Sequence, residues 1–260
     1  MDTIDISVLG LIAAFALIIP ALLADQYFQL GLRRDSLTSI AKMSLQLMLV
    51  GFFLEYIFQQ NSWWLNLTWF ALMVGTAVFS TVDRAKIDLK PIWWLILITF
   101  AIPTLLVLIY FNSFIIRLDY LFDARYLIAL GGMLLGNVLS TNIVAINNFF
   151  QNIKDQQKYY LYRLAMGATR KEALAPFFKQ SVQLAISPSL AKTATIGIVS
   201  LPGMMSGQII AGSSPSTAIK YQIAIMIAIY VASMLSVIMT ILLTSWKSFD
   251  GCGMLKQSRT

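Results

Sequence analysis

Runs of roughly 19 or more residues without a charged side chain recur along this chain, each long enough to cross a hydrocarbon core of about 30 Å. In hydrocarbon no water pairs with backbone N–H and C=O groups, so such a run must satisfy them internally as a helix or join a closed barrel. The runs are continuously apolar and do not alternate in segments of about ten residues, which excludes the barrel. Charged residues are 12% of the 260 against 58% hydrophobic, about half the charged share of a soluble domain. The chain therefore reads as all-α, one polytopic transmembrane helical bundle over residues 1–260.

Seven spans are expected, near residues 4–24, 38–58, 64–81, 92–111, 126–149, 186–211 and 221–244. The first follows Asp2 and Asp5 where a signal peptide carries positive charge, so it reads as a retained helix. The short connection "QQNSWW" between the second and third spans carries tryptophans suited to the membrane–water interface. With the N-terminus outside, fifteen of the Lys and Arg residues fall on inward segments. Only Arg117, Arg125 and Lys220 face outward, and Lys192 lies near the inner end of the sixth span. That asymmetry predicts an N-out, C-in topology. It also accounts for the net charge of +7 without any nucleic-acid partner. There is no histidine, and the single cysteine, Cys252, excludes a disulfide within the chain.

The one long inward connection, about 151–185, reads as two short helices around a turn in "QKYYLYRLAMGATRKEALAPFFKQ". Gly167 suits the left-handed position just past a helix. After Ala168, Thr169 and Glu172 have the spacing of a capping box that starts the next helix. A rigid hairpin projecting into the cytoplasm suits docking of a partner protein. Its basic residues equally suit an amphipathic element on anionic membrane lipid.

The stretch "VSLPGMMSGQIIAG" interrupts the sixth apolar run. Pro202 predicts a kink. Gly203 and Gly207 form a Gly-x-x-x-Gly pair that admits close helix approach, and Met204, Met205, Ser206 and Gln208 complete the insert. Two readings stand: a kinked packing interface, or a hinge that lines a transport path. In the fifth span Gly132 and Gly136 form a second such pair, followed by Asn137, Ser140, Thr141 and Asn142, with Asn148 on the face of Asn137 and Thr141. These polar side chains either join helices or line a wet path.

Two resemblances build on these residues. "LAMGATRKEALAPFF" resembles the coupling loop of ABC-transporter permeases, with Tyr162-Arg163-Leu164-Ala165 in place of the family's acidic-Ala-Ala triplet. "VSLPGMMSGQIIAG" with "SPSTAIKYQIAIM", together with "GATRKEAL", "LLGNVLS" and "SLQLMLVGFFLEYIF", closely resembles the FetB-type family of iron-export permeases and the plant aluminium-tolerance permeases related to it. The resemblance covers most of the chain from about 38 to 230. It implies a non-enzymatic permease subunit in a bacterial cytoplasmic membrane, coupled through Gly167, Ala168, Thr169 and Glu172. Export of iron or a related metal species follows from the resemblance alone.

The chain has no Gly-x-x-x-x-Gly-Lys-Ser/Thr phosphate loop, so an ABC permease of this kind needs a separate ATPase that binds ATP and Mg. Two permease copies with two ATPases are the expected complex. For a metal substrate the usual nitrogen and thiolate ligands are missing. Glu55, near the outer end of the second span, is the intramembrane carboxylate, and it serves either the water interface or the path. Asn137, Asn142, Ser206 and Gln208 offer neutral oxygens; Met204 and Met205 offer sulfur or simply packing. A low-affinity polar path or a chelated metal fits this set better than a tight cage. A non-metal solute (sugar nucleotide, amphiphile or peptide) on the same fold, or a membrane scaffold that transports nothing, remain the alternatives.

Overall fold

A computed structural model describes residues 7–85 and 89–249. Asp2, Asp5, Lys86, Cys252, Lys256 and Arg259 lie outside the described residues. In chain order the helices are α1 (Val8–Ala16), α2 (Ile18–Phe28), α3 (Arg33–Gln60), α4 (Trp63–Arg84), α5 (Trp93–Tyr110), α6 (Ala124–Asp155), α7 (Gln157–Ala165), α8 (Arg170–Thr195), α9 (Gly203–Ile210) and α10 (Pro215–Ser248). A π-helical turn, Phe111–Ile116, extends α5. Six segments among the described residues are long and apolar enough to cross a membrane; α1 and α2 together form the first. The return from the end of α6 to the start of α10 is made by α7, α8 and α9, so about seven crossings are present.

Local chemistry sets most boundaries. The Ser7 hydroxyl caps α1 through the Gly10 N–H. Gln29, Asn61 and Arg117 take left-handed conformations (φ +53°, +36° and +58°) where α2, α3 and the π turn stop. In the tight turn after α2 the Asp25 carboxylate accepts the Leu32 N–H at 2.8 Å, which pins the first span to the second. The Asn61 amide accepts the Ala124 N–H at 2.9 Å and donates to Asp123 at 3.0 Å, tying the end of α3 to the start of α6.

The core lies among α4, α5, α6, α8 and α10, with α6 and α10 at its centre. Between helices in lipid there is no hydrophobic gain, so shape fit and interhelical hydrogen bonds hold the bundle. Gly131 illustrates the fit: a Cβ there would stand 3.0 Å from the Phe70 ring of α4. A larger residue would force an overpacked contact costing about 1–3 kcal/mol. By contrast, α1, α2 and α3 bury only Asp25 and Ile57.

The expected sixth span, 186–211, departs from its reading. No continuous helix kinks at Pro202. Instead α8 starts at Arg170 and runs 26 residues through Pro176 and Pro188 before it stops at Thr195. The second helix of the inward hairpin is therefore long, not short, and is itself the rising segment. Its modest hydropathy at the inner end disguised this. Lys192 is corrected with it: 22 residues beyond Arg170, it lies about 33 Å along the helix, far from the hairpin.

Candidate transport element

At the inner end of α8, the turn from Met166 to Thr169 satisfies the groups that helix ends leave open. Gly167 has φ +90° and donates its N–H to the Leu164 carbonyl, and Ala168 donates to the Arg163 carbonyl. These are the two bonds of a Schellman motif. Nothing stands within 4 Å of a Cβ added at Gly167, so conformation and not space reserves the site for glycine. Thr169 then caps α8: its N–H donates to the Glu172 carboxylate at 2.7 Å, and the Glu172 N–H donates back to its hydroxyl. The Thr169 side-chain and backbone hydrogen bonds hold the Glu172 carboxyl below its ordinary pKa, with a smaller contribution from Arg163.

The hairpin is docked on the bundle. Tyr160 is buried beside Phe177 and Phe249, with ring centroids 6.4 and 5.9 Å away. Arg170 donates to the Ser245 and Trp246 carbonyls at 3.0 and 3.3 Å, near the C-terminal end of α10. A cation at the first position of α8 opposes that helix's own dipole but complements the end of α10. That mismatch was a readable signal, and the sequence reading passed over it.

At the other end, about 38 Å along α8, the chain opens. Ile196 caps α8 without a side-chain bond, and Gly197 adopts φ +92°. Ile196 and Ser200 make an isolated bridge, while Ile198, Val199 and Leu201 are exposed. Pro202 then serves as the N-cap of α9 in extended conformation (φ −64°, ψ 146°). Proline lacks the N–H a helix interior needs, and it pushes the residue before it out of helical geometry, so a new helix starts more readily than an old one bends. The short α9 packs on α10. Met205 is buried, Met204 packs on the core, and Ser206 and Gln208 are half-buried. The Gln208 carbonyl oxygen is enclosed without a hydrogen bond from the described residues. Nothing stands within 4 Å of a Cβ added at Gly203, Gly207 or Gly136. Among the described residues the close helix approach expected at these glycines is therefore not made; on α6 it occurs at Gly131 and Gly132 against α4.

The polar residues of α6 act partly as joints. Asn142 is fully buried and donates to Ser236 of α10 at 2.9 Å, and Ser181 of α8 donates to Asn148 at 3.1 Å. Asn137 and Thr141 bond the Met133 and Asn137 carbonyls of their own helix. A ladder on α10 that the sequence reading missed, Gln222, Ser233, Ser236, Thr240 and Thr244, shares this buried face, and Thr240 donates to Thr99 of α5 at 2.8 Å. Its spacing of eleven, three, four and four residues was the available signal. The Asn142 and Gln222 carbonyl oxygens and the Ser233 hydroxyl are buried without a hydrogen bond from the described residues.

The candidate residues do not converge on one point. The short α9 follows directly into the start of α10 (Pro215), whereas Asn142 meets α10 at Ser236, 21 residues further along. Glu55 is exposed on α3, which meets the core only around Ile57, Ala124 and Ile128. Among the described residues no group of three His, Cys, Asp or Glu side chains is placed to hold a metal ion. What the arrangement offers is a single helix, with Pro176 and Pro188 inside it, that runs from a capped hairpin to an exposed break, beside a bundle interior lined with neutral oxygens.

Comparison with known proteins finds relatives along nearly the whole chain. The chain is 33% identical over 252 residues to the "Probable iron export permease protein FetB" of Escherichia coli, covering 96% of this chain and 95% of that one. It is 32% identical to the "Protein ALUMINUM SENSITIVE 3" of Arabidopsis thaliana, over 91% of this chain and 85% of the relative. The "UPF0014 membrane protein YjkA" of Bacillus subtilis is 26% identical over 96% of this chain and 98% of its own. No solved structure matches. The model of the uncharacterised protein family UPF0014 matches residues 8–249, and with these relatives it places the chain, a multi-pass membrane protein, in that family.

Proposed function

We propose that this chain is the permease subunit of an ABC-type transporter in the cytoplasmic membrane, driven by a separate ATPase that binds ATP and Mg. One observation carries the reading: a turn at Gly167, closed by a Schellman motif and a capping box, leads directly into α8, which ends at the break before α9. A force applied by the ATPase to the hairpin would pass along one helix to the exposed break at 196–202. No covalent chemistry is asked of Gly167, Ala168, Thr169 or Glu172; they hold the shape that docks.

The cargo proposed is iron or a related metal species, exported, following the printed name of the Escherichia coli relative. The residues favour a weakly held or chelated ion, because the interior offers amide and hydroxyl oxygens such as Asn142 and Ser233 rather than a charged cage. A non-metal solute is the second reading, favoured by the lack of histidine in the chain. Two permeases with two ATPases are proposed as the complex. The unburied faces of α1–α3 and the open space at Gly203 and Gly207 leave surface for a second copy.

The test is elemental analysis of intracellular iron in cells that express the permease with its ATPase, against the same pair carrying Gly167→Val at matched expression. Lower iron with the intact pair alone supports metal export and coupling through the hairpin. Unchanged iron with an assembled, ATP-hydrolysing complex discards the metal and keeps the permease.

A further inference from the structure

A cleft of about 560 Å³ opens on the side of the bundle between the end of α5, its π-helical turn and the first half of α10. Its size is within the roughly 300–1,000 Å³ of small-molecule sites. Leu106, Tyr110, Ile115 and Ile227 form exposed apolar walls, and buried Val107 and Phe111 close the floor. The π turn that shapes one wall is rare inside helices and is enriched at functional sites. Lys220 is the one charged residue among the lining side chains. It is exposed, near the start of α10, at the end of the bundle opposite Arg170 and the basic hairpin.

We propose that this cleft binds an anionic glycerophospholipid, one acyl chain lying along the groove and its phosphate paired with Lys220. The cleft lies along two spanning helices, so its apolar walls face hydrocarbon, and a lysine near the helix end reaches the headgroup level. Other surfaces of the bundle also face lipid. This one pairs a half-open apolar groove with a single charged lining residue, which matches one apolar chain and one negative headgroup. The residues are separate from the hairpin and from the Asn142–Ser236 joint, so the site does not depend on which solute is transported.

The experiment is native mass spectrometry of the full-length permease released from nanodiscs of phosphatidylglycerol or of phosphatidylcholine. The wild type is expected to retain phosphatidylglycerol preferentially. Lys220→Gln, an exposed change, should lower that preference about fivefold, the effect of one basic residue at a lipid surface. Ala224→Trp, which fills the groove, should abolish retention of both lipids. Equal retention of the two lipids by the wild type, or a preference unchanged in Lys220→Gln, overturns the proposal. So does cross-linking between two copies through Ile227→Cys in a Cys252→Ser background, which would assign the cleft to a chain–chain interface.

Discussion

The two ends of α8 are built from the same kinds of residue and behave as opposites. Each is bounded by a glycine with φ near +90°, Gly167 before it and Gly197 after it. At the first, a Schellman motif and a capping box pair the N–H groups of Gly167, Ala168, Thr169 and Glu172, and Arg170 and Tyr160 fasten the hairpin to α10 and its neighbours. At the second there is no side-chain cap, and three large apolar residues between the helices are exposed. Gly167 closes α7 with a Schellman motif, whereas α8 is ended by the extended Ile196 and Gly197 only follows it; the same left-handed glycine thus sits in two different settings. In a lever the anchored end receives force and the open end moves, which is why this asymmetry suits a transport element.

Substitution at the glycines should break the comparison most. Gly167→Val places a branched side chain at φ +90°, a strain of about 2 kcal/mol. Hydrogen exchange should show lost protection through residues 163–173, with ATPase activity of the complex uncoupled from transport. Gly197→Val imposes a similar strain, yet should leave that protection unchanged. If it loosens the hairpin as well, the two ends are not independent.

A smaller effect is expected at the cap. Thr169→Ala removes the acceptor for the Glu172 N–H and should cost about 1 kcal/mol, read as a lower melting temperature of the purified permease. Thr169→Ser should restore it.

The same cap carries a pH dependence. Because the folded-state pKa of Glu172 is lowered, its contribution is full above the ordinary glutamate value of about 4.3 and is lost as pH falls through the lowered one. Exchange protection of the first turn of α8 should therefore fade on acidification, and Glu172→Gln should flatten the profile. The break has no such group, and its exchange should follow only the intrinsic pH trend.

The smallest change sharpens the contrast with the core between these ends. Thr240→Val removes the bond to Thr99 and should cost about 0.6 kcal/mol, the average for hydrogen bonds between membrane helices. A loss several times larger, measured by unfolding in mixed micelles, would mean that the α10 ladder acts as a connected network.

Much of this was legible from the chain, and for a definable reason. Gly167, Thr169 and Glu172 lie within six residues, and their bonds are local, so spacing alone identifies the turn. Pro202 announced an interruption, but not that the helix would stop seven residues before it. The length of α8 was hidden because Lys179, Pro188 and Lys192 break the apolar pattern that marks a span, while α6 and α10 cover its buried face. The Asn142–Ser236 and Thr99–Thr240 bonds join residues 94 and 141 positions apart, and no local pattern names such partners.

What the amino-acid order settled by itself is the helical class, the approximate number of crossings and the capped hairpin. Each depends on backbone groups paired within a few residues: in the spans because lipid supplies no alternative partner, in the hairpin because its caps are local. Tertiary structure decided which glycines touch a neighbour, where the long α8 ends relative to α10, and which polar side chains meet. Those outcomes depend on the fit of surfaces from distant segments, and inside a membrane that fit, not hydrophobicity, selects one packing over another.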